Sequence, residues 1–506
     1  MTQITAPPDL AACLRATAEA RPDHVALRWH GDDMTYGELD ARVDRAAAGL
    51  QSLGVARGDR VALLLGNVPA FVEAWVGVLR AGAVAVPLNL GLAPDEVGHA
   101  LADSGAQVLV VAAVVADDMV DLAAELDVTV LVAGAEEAPA NTTRWRDLLD
   151  RAGALTPATT SDDDLAAIVY TSGTTGRPKG AMLTRGNLAA NQAQSLAGRL
   201  TVEADDVVLL VLPMSHIYAL NVGLGSAVSV GARMILQERF DPVGSLDVIE
   251  EQGVTVVLGA PPMYVAWNNT PGIEDRDLSS VRLAASGAAA LPVAVHARFL
   301  ELTGITIREG YGLTEASPSL TSNAMAEVPR AGTVGLPLPD VQLRLVDDDG
   351  DEVATGEVGQ VLARGPNVFA GYWQDPEATA ESLVDGWLHT GDVGILDADG
   401  HLRLVDRLGD VIIVSGFNVY PREVERVLVR HEAVGEAAVV GVPHPYTGEA
   451  VKAFVVPAGE VTEDELAVFC RSLLARYKCP ETIQIVDALP LTATGKVRRT
   501  ALRDLI

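Results

Sequence analysis

The chain has 506 residues, of which 49% are apolar and 21% are charged, enough apolar material for a large core, which excludes wholesale disorder. The 37 basic and 68 acidic residues give a net charge of −31. Such an acidic surface repels phosphate backbones and anionic lipid headgroups, which argues against nucleic-acid or membrane-surface binding but does not exclude a small anionic ligand.

The first third of the chain alternates helical and strand patterns. Thr35 and Glu38 have the spacing of a capping box and precede an apolar helical face that reaches Leu50. The next elements are three strand-like apolar runs and one helical pattern, at 61–66, 83–88, 108–116 and 69–80. Such strands separated by helices predict a parallel sheet with helices packed on its faces.

The middle of the chain continues the alternation after a polar segment. Residues 141–164 are rich in Thr and Asp and indicate a connection. Five strand-like runs follow, at 165–170, 206–214, 232–237, 255–261 and 281–287. Asp-Gly turns between strand patterns then predict antiparallel hairpins, so residues 331–405 are interpreted as a β-rich subdomain.

The last hundred residues predict a small α+β unit. Two strand patterns, at 437–443 and 450–457, precede a second capping-box pair, Thr462 and Glu465. Apolar residues then recur at helical spacing at Leu466, Phe469, Cys470, Leu473, Leu474 and Tyr477. This position makes Cys470 a core residue rather than a catalytic one.

The cysteine content and the absence of targeting patterns indicate a cytoplasmic location. The three cysteines, Cys13, Cys470 and Cys479, have no Cys-x-x-Cys spacing, which disfavours a disulfide framework or a structural zinc site. The N-terminus has no secretory pattern. The longest apolar run, Val108 to Ala116, is far shorter than the ~20 residues that span a bilayer, so we expect no integral membrane contact.

The segment YTSGTTGRPKG, residues 170–180, is the most informative part of the chain. It follows a strand pattern and combines hydroxyl side chains, glycines and one cation, at Thr171, Ser172, Gly173, Thr174, Thr175, Gly176 and Lys179. Glycines let the backbone approach an anion, and hydroxyls and amides donate to phosphate oxygens. The spacing is not that of a Walker loop, which disfavours P-loop kinases and GTPases. The alternative is a flexible surface loop.

This segment resembles the signature loop of the adenylate-forming superfamily, which includes acyl-CoA synthetases, peptide-synthetase adenylation domains and beetle luciferases. Five later segments resemble further motifs in family order, at 311–317, 356–373, 387–394, 406–425 and 490–499. The resemblance implies that a carboxylate attacks the α-phosphate of ATP and that the thiol of coenzyme A then displaces AMP. ATP, Mg²⁺ and coenzyme A are the implied small-molecule partners.

The resemblance also implies a fold. It is an α/β protein whose residues 1–406 form a large N-terminal ATP- and acyl-binding adenylation domain, with parallel-type α/β subdomains and a β-rich subdomain. Residues 407–506 form a small, mobile α+β C-terminal domain that carries a catalytic lysine. The oligomeric state, monomer or homodimer, is left open by the sequence.

By resemblance, Lys496 in TATGKVRR bridges the substrate carboxylate and the α-phosphate, where a cation compensates developing charge. Glu315 resembles the Mg²⁺ ligand, Thr314 touches phosphate, and Tyr311 with Gly312 lies at the adenine. The alternatives are a solvated lysine in a basic tail and a helix-capping or solvated glutamate.

Further nucleotide contacts follow from the same resemblance. Asp392 corresponds to the aspartate that accepts both ribose hydroxyls, with Arg407 beside it. Gly287, Ala288 and Ala289 match the stretch that passes the adenine. The alternatives are a turn residue, a salt bridge and small packing residues.

The thiolation half-reaction involves a hinge and a pantetheine passage by resemblance. Gly409 occupies the hinge position, where the family usually has Asp or Lys, so a side-chain role at the hinge is in doubt. Ser415, Gly416 and Phe417 lie where the pantetheine arm passes, or form a plain strand-to-loop connection. His216 resembles a family residue near the substrate carboxylate; a structural role is the alternative.

The segment between Val207 and Gln237 indicates the class of acid. It has no acidic residue and one arginine or lysine, Arg233, so it offers no partner for a substrate ammonium. The apolar residues 217–230 and 259–265 favour an alkyl chain. We therefore predict a medium- or long-chain fatty acid–CoA ligase. Aryl or other hydrophobic acids, transfer to a carrier-protein pantetheine and an inactive nucleotide-binding relative are the alternatives.

Overall fold

The computed structural model describes residues 9–171, 178–414, 417–445, 447–491 and 496–503. The chain forms two compact units, Met1–Gln342 with Ala363–Leu388, and Leu343–Leu362 with His389–Ile506. The second unit therefore includes part of the segment interpreted as the β-rich end of the N-terminal domain. The domain boundary between residues 406 and 407 stays a prediction.

The described helices and strands follow the chain. The helices are α1 Leu10–Ala20, α2 Tyr36–Ser52, α3 Pro69–Arg80, α4 Pro94–Ser104, α5 Ala116–Glu125, α6 Trp145–Arg151, α7 Arg185–Leu196, α8 Ser226–Val230, α9 Pro242–Gln252, α10 Pro261–Asn268, α11 Val293–Thr303, α12 Pro376–Ser382, α13 Pro421–Leu428, α14 Glu463–Leu473 and α15 Arg499–Arg503. The strands up to the middle of the chain are β1 Val25–Trp29, β2 Asp32–Thr35, β3 Arg60–Leu64, β4 Val84–Leu88, β5 Val108–Ala112, β6 Thr129–Ala133, β7 Thr143–Arg144, β8 Leu165–Thr171, β9 Lys179–Thr184, β10 Val207–Leu210, β11 Arg233–Leu236, β12 Val256–Gly259, β13 Leu283–Ser286 and β14 Ile307–Gly312. The later strands are β15 Ser319–Ser322, β16 Leu336–Pro337, β17 Gln342–Val346, β18 Val358–Arg364, β19 Gly371–Tyr372, β20 Leu383–Val384, β21 Trp387–Leu396, β22 Leu402–Arg407, β23 Ile412–Val414, β24 Phe417–Val419, β25 Val434–His444, β26 Gly448–Pro457 and β27 Thr482–Ile485.

Two large sheets make up the first unit. One has the strand order β16-β15-β14-β13-β12-β10-β11-β1-β2, and the other has the order β19-β9-β8-β4-β3-β5-β6-β7. The neighbours from β14 through β10 to β1 run parallel, as do β8, β4, β3, β5, β6 and β7. Their apolar side chains are buried because helices cover parallel sheets on both faces.

The second unit is mostly antiparallel. Strands β17, β18 and β21 are neighbours in one sheet, with β22 paired antiparallel to β21. The other sheet has the order β24-β23-β26-β25, with β27 parallel to β26. Helices α13 and α14 bury Val424, Leu428, Leu466 and Cys470 against this sheet. The two units confirm the predicted α/β class, with parallel sheets in the larger part and a smaller α+β part.

Local sequence signals located several elements correctly. Both hydrogen bonds of the capping box between Thr35 and Glu38 are present at the start of α2, and the box of Thr462 and Glu465 starts α14. Helix α3 covers residues 69–80 as predicted, with Pro69 at its first position, where a missing N–H costs nothing. Cys470 is fully buried in the core, as expected.

Three predictions were wrong in detail. The strand expected over 108–116 ends at Ala112, where its pairing with β6 ends. Residues Ala113–Val115 form a 3₁₀ turn with no buried side chain, and Ala116 is the first residue of α5. The connection expected at 141–164 contains β7 and α6, and α6 buries Trp145 within its polar surroundings. Leu474 and Tyr477 lie beyond α14, because Leu474 has extended backbone.

Within the part of the chain that the structure describes, no helix is both long enough and apolar enough to cross a membrane.

Candidate active site

The carboxyl ends of parallel strands bring several predicted residues to one edge of the first sheet. Strands β10, β12, β13 and β14 are parallel and adjacent, so the segments that follow them leave the sheet on the same side. His216 follows β10, Gly287–Ala289 follow β13, and Thr314 and Glu315 follow β14. Open α/β sheets bind ligands beyond this edge.

Asn67 holds the segment after β10 next to the second sheet. It follows β3, is buried, and its side-chain amide donates to the carbonyl oxygens of Leu210 and Leu212 at 3.2 and 2.9 Å. Its side-chain oxygen accepts the N–H of Met214 at 2.9 Å. The backbone that leads to His216 is therefore fixed by hydrogen bonds between the two sheets.

The predicted phosphate loop joins two strands of the second sheet. Thr171 is the last residue of β8 and Lys179 is the first residue of β9, and the two face each other in the antiparallel pair. The Thr171 hydroxyl donates to the carbonyl oxygen of Lys179 at 3.4 Å. The other predicted loop residues, Ser172, Gly173, Thr174, Thr175 and Gly176, lie outside the described residues.

Lys179, the first residue of β9, is the cation at the end of this loop that the structure describes. Its ammonium lies 3.7 Å from the carboxylate of Asp375 and 5.4 Å from the ring centre of Tyr372. About a third of the side chain is exposed, at 35%. An exposed ion pair at this distance is weak, so the amine can turn to an anionic ligand at little cost.

Glu315 lies in the tight turn between β14 and β15. Its backbone oxygen accepts the N–H of Phe369 at 2.9 Å, and its carboxylate oxygen Oε1 accepts the hydroxyl of Tyr372 at 2.7 Å. Tyr372 belongs to β19, which pairs with β9 in the second sheet. Tyr372 therefore joins the edges of the two sheets. Sequence reasoning missed this role, and the only signal was its place in the motif at 356–373.

Close packing at the strand ends explains the glycines. A Cβ at Gly312 would lie 1.9 Å from the carbonyl oxygen of Pro318, and a Cβ at Gly287 would lie 3.0 Å from the Tyr218 ring. Ala288 has the left-handed backbone conformation, with φ of 68°, which is uncommon for a residue other than glycine. Tyr311 is buried in β14.

Ser286 is a second residue that the sequence did not single out. It ends β13, directly before the stretch expected at the adenine, and it is 1% exposed. Its hydroxyl is buried and has no hydrogen-bond partner in the described part of the chain. A buried polar group without a partner is costly, so Ser286 is an unusual residue next to the predicted adenine stretch.

His216 precedes an unusual helix. Residues Tyr218–Gly225 form a π-helix, a conformation that is rare and frequent at functional sites. The N–H of Tyr218 donates to Nδ1 of His216 at 3.3 Å. Burial raises the pKa of the Tyr218 hydroxyl, so it stays protonated at neutral pH.

Asp392 and Arg407 face each other across the β21–β22 hairpin of the second unit. Arg407 Nε donates to Asp392 Oδ1 at 3.1 Å. Asp392 is buried, whereas the side chain of Arg407 is 42% exposed. Arg407 thus holds the Asp392 carboxylate in place, and a carboxylate is a suitable acceptor for hydrogen bonds from hydroxyl groups.

The predicted hinge and the predicted pantetheine segment follow β22. Gly409 lies in a short turn, Leu408–Asp410, where an added Cβ would meet no described atom within 4 Å. Phe417 is exposed and its ring stacks on Tyr477 with the ring centres 4.7 Å apart. Ser415 and Gly416 lie outside the described residues.

Lys496 is exposed and precedes a segment that is well fixed to the second unit. The next residue, Val497, pairs with Leu491 in an isolated bridge. Arg499, the first residue of α15, is ion-paired with Glu425 at 2.6 Å and with Asp410 at 3.4 Å. Asp410 belongs to the same turn as Gly409, so the lysine segment and the predicted hinge are connected.

The residues at Glu315 fit a magnesium ion that is held mainly by a nucleotide. One carboxylate and the hydroxyl of Thr314 supply the oxygen ligands that Mg²⁺ prefers, and the metal is commonly bound by one or two carboxylates together with phosphate oxygens and water. Among the described residues, no cluster of three or more His, Cys, Asp or Glu side chains could hold a metal ion.

Comparison with known proteins agrees with this geometry. Residues 14–373 match the model of the AMP-binding enzyme family, and residues 423–496 match the AMP-binding enzyme C-terminal domain. The chain belongs to the AMP-binding enzyme family. The prediction of an adenylate-forming enzyme of the acyl-CoA synthetase branch is thereby confirmed.

Its relatives in the AMP-binding enzyme family match over nearly the full length. The chain is 41% identical over 489 residues to a feruloyl-CoA synthase of Amycolatopsis sp, with 96% of each covered. It is 37% identical over 514 residues to a long-chain-fatty-acid–CoA ligase of Escherichia coli O157:H7, covering 95% of this chain and 92% of the relative. It is 30% identical to the anthranilate CoA ligase AuaEII in complex with anthranoyl-AMP, with a TM-score of 0.91 and 99% and 98% covered.

This AMP-binding enzyme is therefore an ATP-dependent acid–CoA ligase that forms an acyl-adenylate and uses ATP, Mg²⁺ and coenzyme A.

Proposed function

We propose that this ligase activates a hydrophobic monocarboxylic acid without a second charged group, with medium- or long-chain fatty acids as its substrate class. In this proposal, Thr171, Lys179 and the rest of the loop bind the phosphates. Glu315 binds the metal, which would neutralise phosphate charge during attack by the carboxylate. The observation that carries the proposal is that Lys179 and Glu315 both contact Tyr372, so a cation and a metal-binding carboxylate face one place.

The second unit supplies the remaining proposed roles. Asp392 accepts the ribose hydroxyls beside Arg407, and Lys496 compensates the charge that develops on the carboxylate and α-phosphate. Phe417 contacts the pantetheine arm in the second half-reaction, when coenzyme A is the acceptor. The turn at Gly409 is the proposed hinge, where glycine allows a wide range of backbone angles.

The position of Arg233 supports the proposal of an acid without a second charged group. It is the one arginine or lysine between Val207 and Gln237. It starts β11, and its guanidinium lies 3.7 Å from Asp33 and 3.5 Å from the side-chain oxygen of Gln252. Arg233 is therefore already paired at the amino end of its strand, away from the carboxyl edge, and does not serve a second substrate carboxylate.

The fatty-acid proposal is supported by relatives and by composition. Long-chain-fatty-acid–CoA ligases are 37% identical to the chain. Residues 217–230 are uncharged and rich in small side chains, and each methylene buried there contributes about 0.8 kcal/mol. On this basis, kcat/KM is expected to rise with chain length until the apolar site is filled.

A hydroxyaryl acid is the second candidate, and Tyr218 is the observation that favours it. Its ring packs against Gly287, and burial raises the pKa of its hydroxyl. In this second proposal, the ring would lie against a planar acid and the hydroxyl would bond to a phenol. The 41% identical relative is named a feruloyl-CoA synthase.

A panel of acids tests the two substrate classes. ATP–pyrophosphate exchange is measured with decanoic, palmitic, ferulic, cinnamic and malonic acids and one amino acid, and mass spectrometry identifies the coenzyme A thioesters. The fatty-acid proposal expects the highest kcat/KM for the alkyl acids. A large preference for ferulic acid would replace it by the second candidate, and Tyr218→Phe would then reduce activity on ferulic acid but not on cinnamic acid.

The same assay separates adenylation from transfer. Lys496→Ala is expected to abolish pyrophosphate exchange, and unchanged exchange would contradict its proposed role. Replacing coenzyme A by a phosphopantetheinylated carrier protein tests the alternative acceptor, which we expect to remain unloaded. We also propose a cytoplasmic location. The three cysteines support it, because their number and spacing fit neither a disulfide framework nor a structural zinc site.

A further inference from the structure

Tyr372 contacts two oppositely charged groups of the proposed site, the Glu315 carboxylate and the Lys179 ammonium. Its hydroxyl donates to Glu315 Oε1 at 2.7 Å, and its ring lies 5.4 Å from the ammonium of Lys179. The proposed function uses these contacts as evidence but gives Tyr372 itself no role. Its position between the two sheet edges is therefore open to a functional explanation.

Tyr372 is itself firmly held. Its backbone N–H donates to the hydroxyl of Thr379 at 2.8 Å, and its strand pairs with Ala181 in β9. The ring of Phe369 meets it edge-on with the ring centres 4.9 Å apart. The next residue, Trp373, donates its ring N–H to the carbonyl oxygen of Asp103 at 3.0 Å. A phenol anchored this way can orient a mobile partner.

The geometry points to Tyr372 as a positioning residue for the metal-binding carboxylate. This inference rests on the proposed role of Glu315 as the Mg²⁺ ligand. A carboxylate whose Oε1 accepts a hydrogen bond from a phenol loses rotational freedom, and the Glu315 carboxylate held in this way would bind the ion in one orientation. Partners that orient a metal ligand in this way commonly change metal affinity 10–100-fold when they are removed.

The ring has a separate effect on Lys179. An ammonium near the face of a tyrosine ring is attracted by the ring quadrupole, and the Lys179 ammonium lies 5.4 Å from the centre of the Tyr372 ring. The hydroxyl therefore acts on the metal site and the ring acts on the phosphate-binding cation. Two substitutions at one position separate these effects.

Tyr372→Phe removes the hydroxyl and keeps the ring, whereas Tyr372→Leu removes both. The concentration of free Mg²⁺ that gives half-maximal pyrophosphate exchange is expected to rise roughly tenfold or more in Tyr372→Phe. Calorimetric titration with ATP alone, in Mg²⁺ and in EDTA, gives a readout that needs no turnover. Tyr372→Phe is expected to need correspondingly more Mg²⁺ for the same gain in ATP affinity and to keep the wild-type affinity in EDTA, while Tyr372→Leu loses affinity in both.

Tyr36→Phe is the matched control. It removes another tyrosine hydroxyl bond, 2.7 Å to the carbonyl oxygen of Ala232, that is buried in the same unit and lies outside the proposed site. Its Mg²⁺ requirement is expected to equal that of the wild type. An equal rise in Tyr36→Phe would assign the effect to general destabilisation and overturn the inference.

Glu315→Gln separates failure of the inference from failure of the proposed function. A raised Mg²⁺ requirement in Glu315→Gln together with a wild-type requirement in Tyr372→Phe would overturn the role of Tyr372 alone. A wild-type requirement in Glu315→Gln would remove the proposed metal ligand, and the inference with it. Raised requirements in both, with the control unchanged, support the positioning role.

Discussion

Arg499→Met removes the cation from a buried ion-pair network in the second unit. The guanidinium contacts Glu425 at 2.6 Å and Asp410 at 3.4 Å, and its Nε donates to the carbonyl oxygen of Val439 at 3.2 Å. Only 17% of each of the Arg499 and Glu425 side chains is exposed. Methionine keeps most of the apolar stem but leaves the Glu425 carboxylate without its counterion.

The expected loss of stability follows from this burial. Removing one partner of a buried ion pair costs about 3–5 kcal/mol, because the remaining charge is uncompensated. That loss would lower the local protection against amide hydrogen exchange by roughly two to more than three orders of magnitude. The change is expected in α13 and β25, which carry Glu425 and Val439.

The loss should depend on pH through Glu425. Burial raises the pKa of this carboxyl above its ordinary value, and the Arg499 guanidinium offsets part of the rise. A raised folded-state pKa means that the contribution to stability is present below the unfolded pKa, about 4.3, and is lost as pH rises through the folded value. Without Arg499 the pKa of Glu425 is raised further, so Arg499→Met should be more destabilised at pH 8 than at pH 5.

Hydrogen exchange followed by mass spectrometry is the suitable assay, because it reports each unit separately and a chain of this size need not unfold in two states. Arg503→Met is the control: its side chain is 38% exposed and 3.1 Å from Asp410, so it should cost about 0–1 kcal/mol. The double variant Glu425→Gln, Arg499→Met should recover most of the loss. Unchanged exchange in Arg499→Met, or no recovery in the double variant, would refute the reasoning.

Three further predictions concern the backbone, a helix cap and electrostatics. Ala288→Gly should raise the melting temperature, because glycine relieves about 1 kcal/mol of left-handed backbone strain. The control is Ala289→Gly, where φ is not left-handed and the substitution should lower the melting temperature. A lower melting temperature in Ala288→Gly would contradict this prediction. Thr462→Ala should destabilise α14 by about 1 kcal/mol through loss of its cap, measured by exchange in that helix. ATP binding, measured by calorimetry from low to high salt, should weaken only mildly, because local donors such as Lys179 and Lys496 rather than the net charge hold the nucleotide; a steep loss would count against these local contacts.

Local patterns predicted the elements whose signals are short in sequence. The capping boxes at Thr35 and Thr462 and the helix over 69–80 depend on side chains three or four residues apart, and the structure contains them. The local patterns failed where contacts between residues distant in sequence determine the secondary structure. The apolar run from Val108 leaves the sheet at Ala112, where strand pairing ends. Helix α6 forms in a polar segment because the side chain of Trp145 is buried.

The candidate site divides in the same way. The motif at 170–180 and the residues Glu315 and Lys496 could be singled out from sequence because their chemistry is written in short segments. Tyr372 and Ser286 could not, since a tyrosine in a strand and a serine at a strand end have no distinctive local pattern. What singles them out is visible only in the structure: a hydroxyl placed 2.7 Å from a carboxylate, and a buried hydroxyl without a described partner.

The sequence by itself determined the family, the type of reaction and the alternating architecture, because ordered motifs and apolar periodicity are properties of neighbouring residues. The tertiary structure alone decided which residues act together. Tyr372 meets Glu315 across 57 positions of the chain, and Arg499 meets Glu425 across 74. Such pairs form only when sheets and helices bring distant segments within hydrogen-bond distance, and no local pattern specifies them.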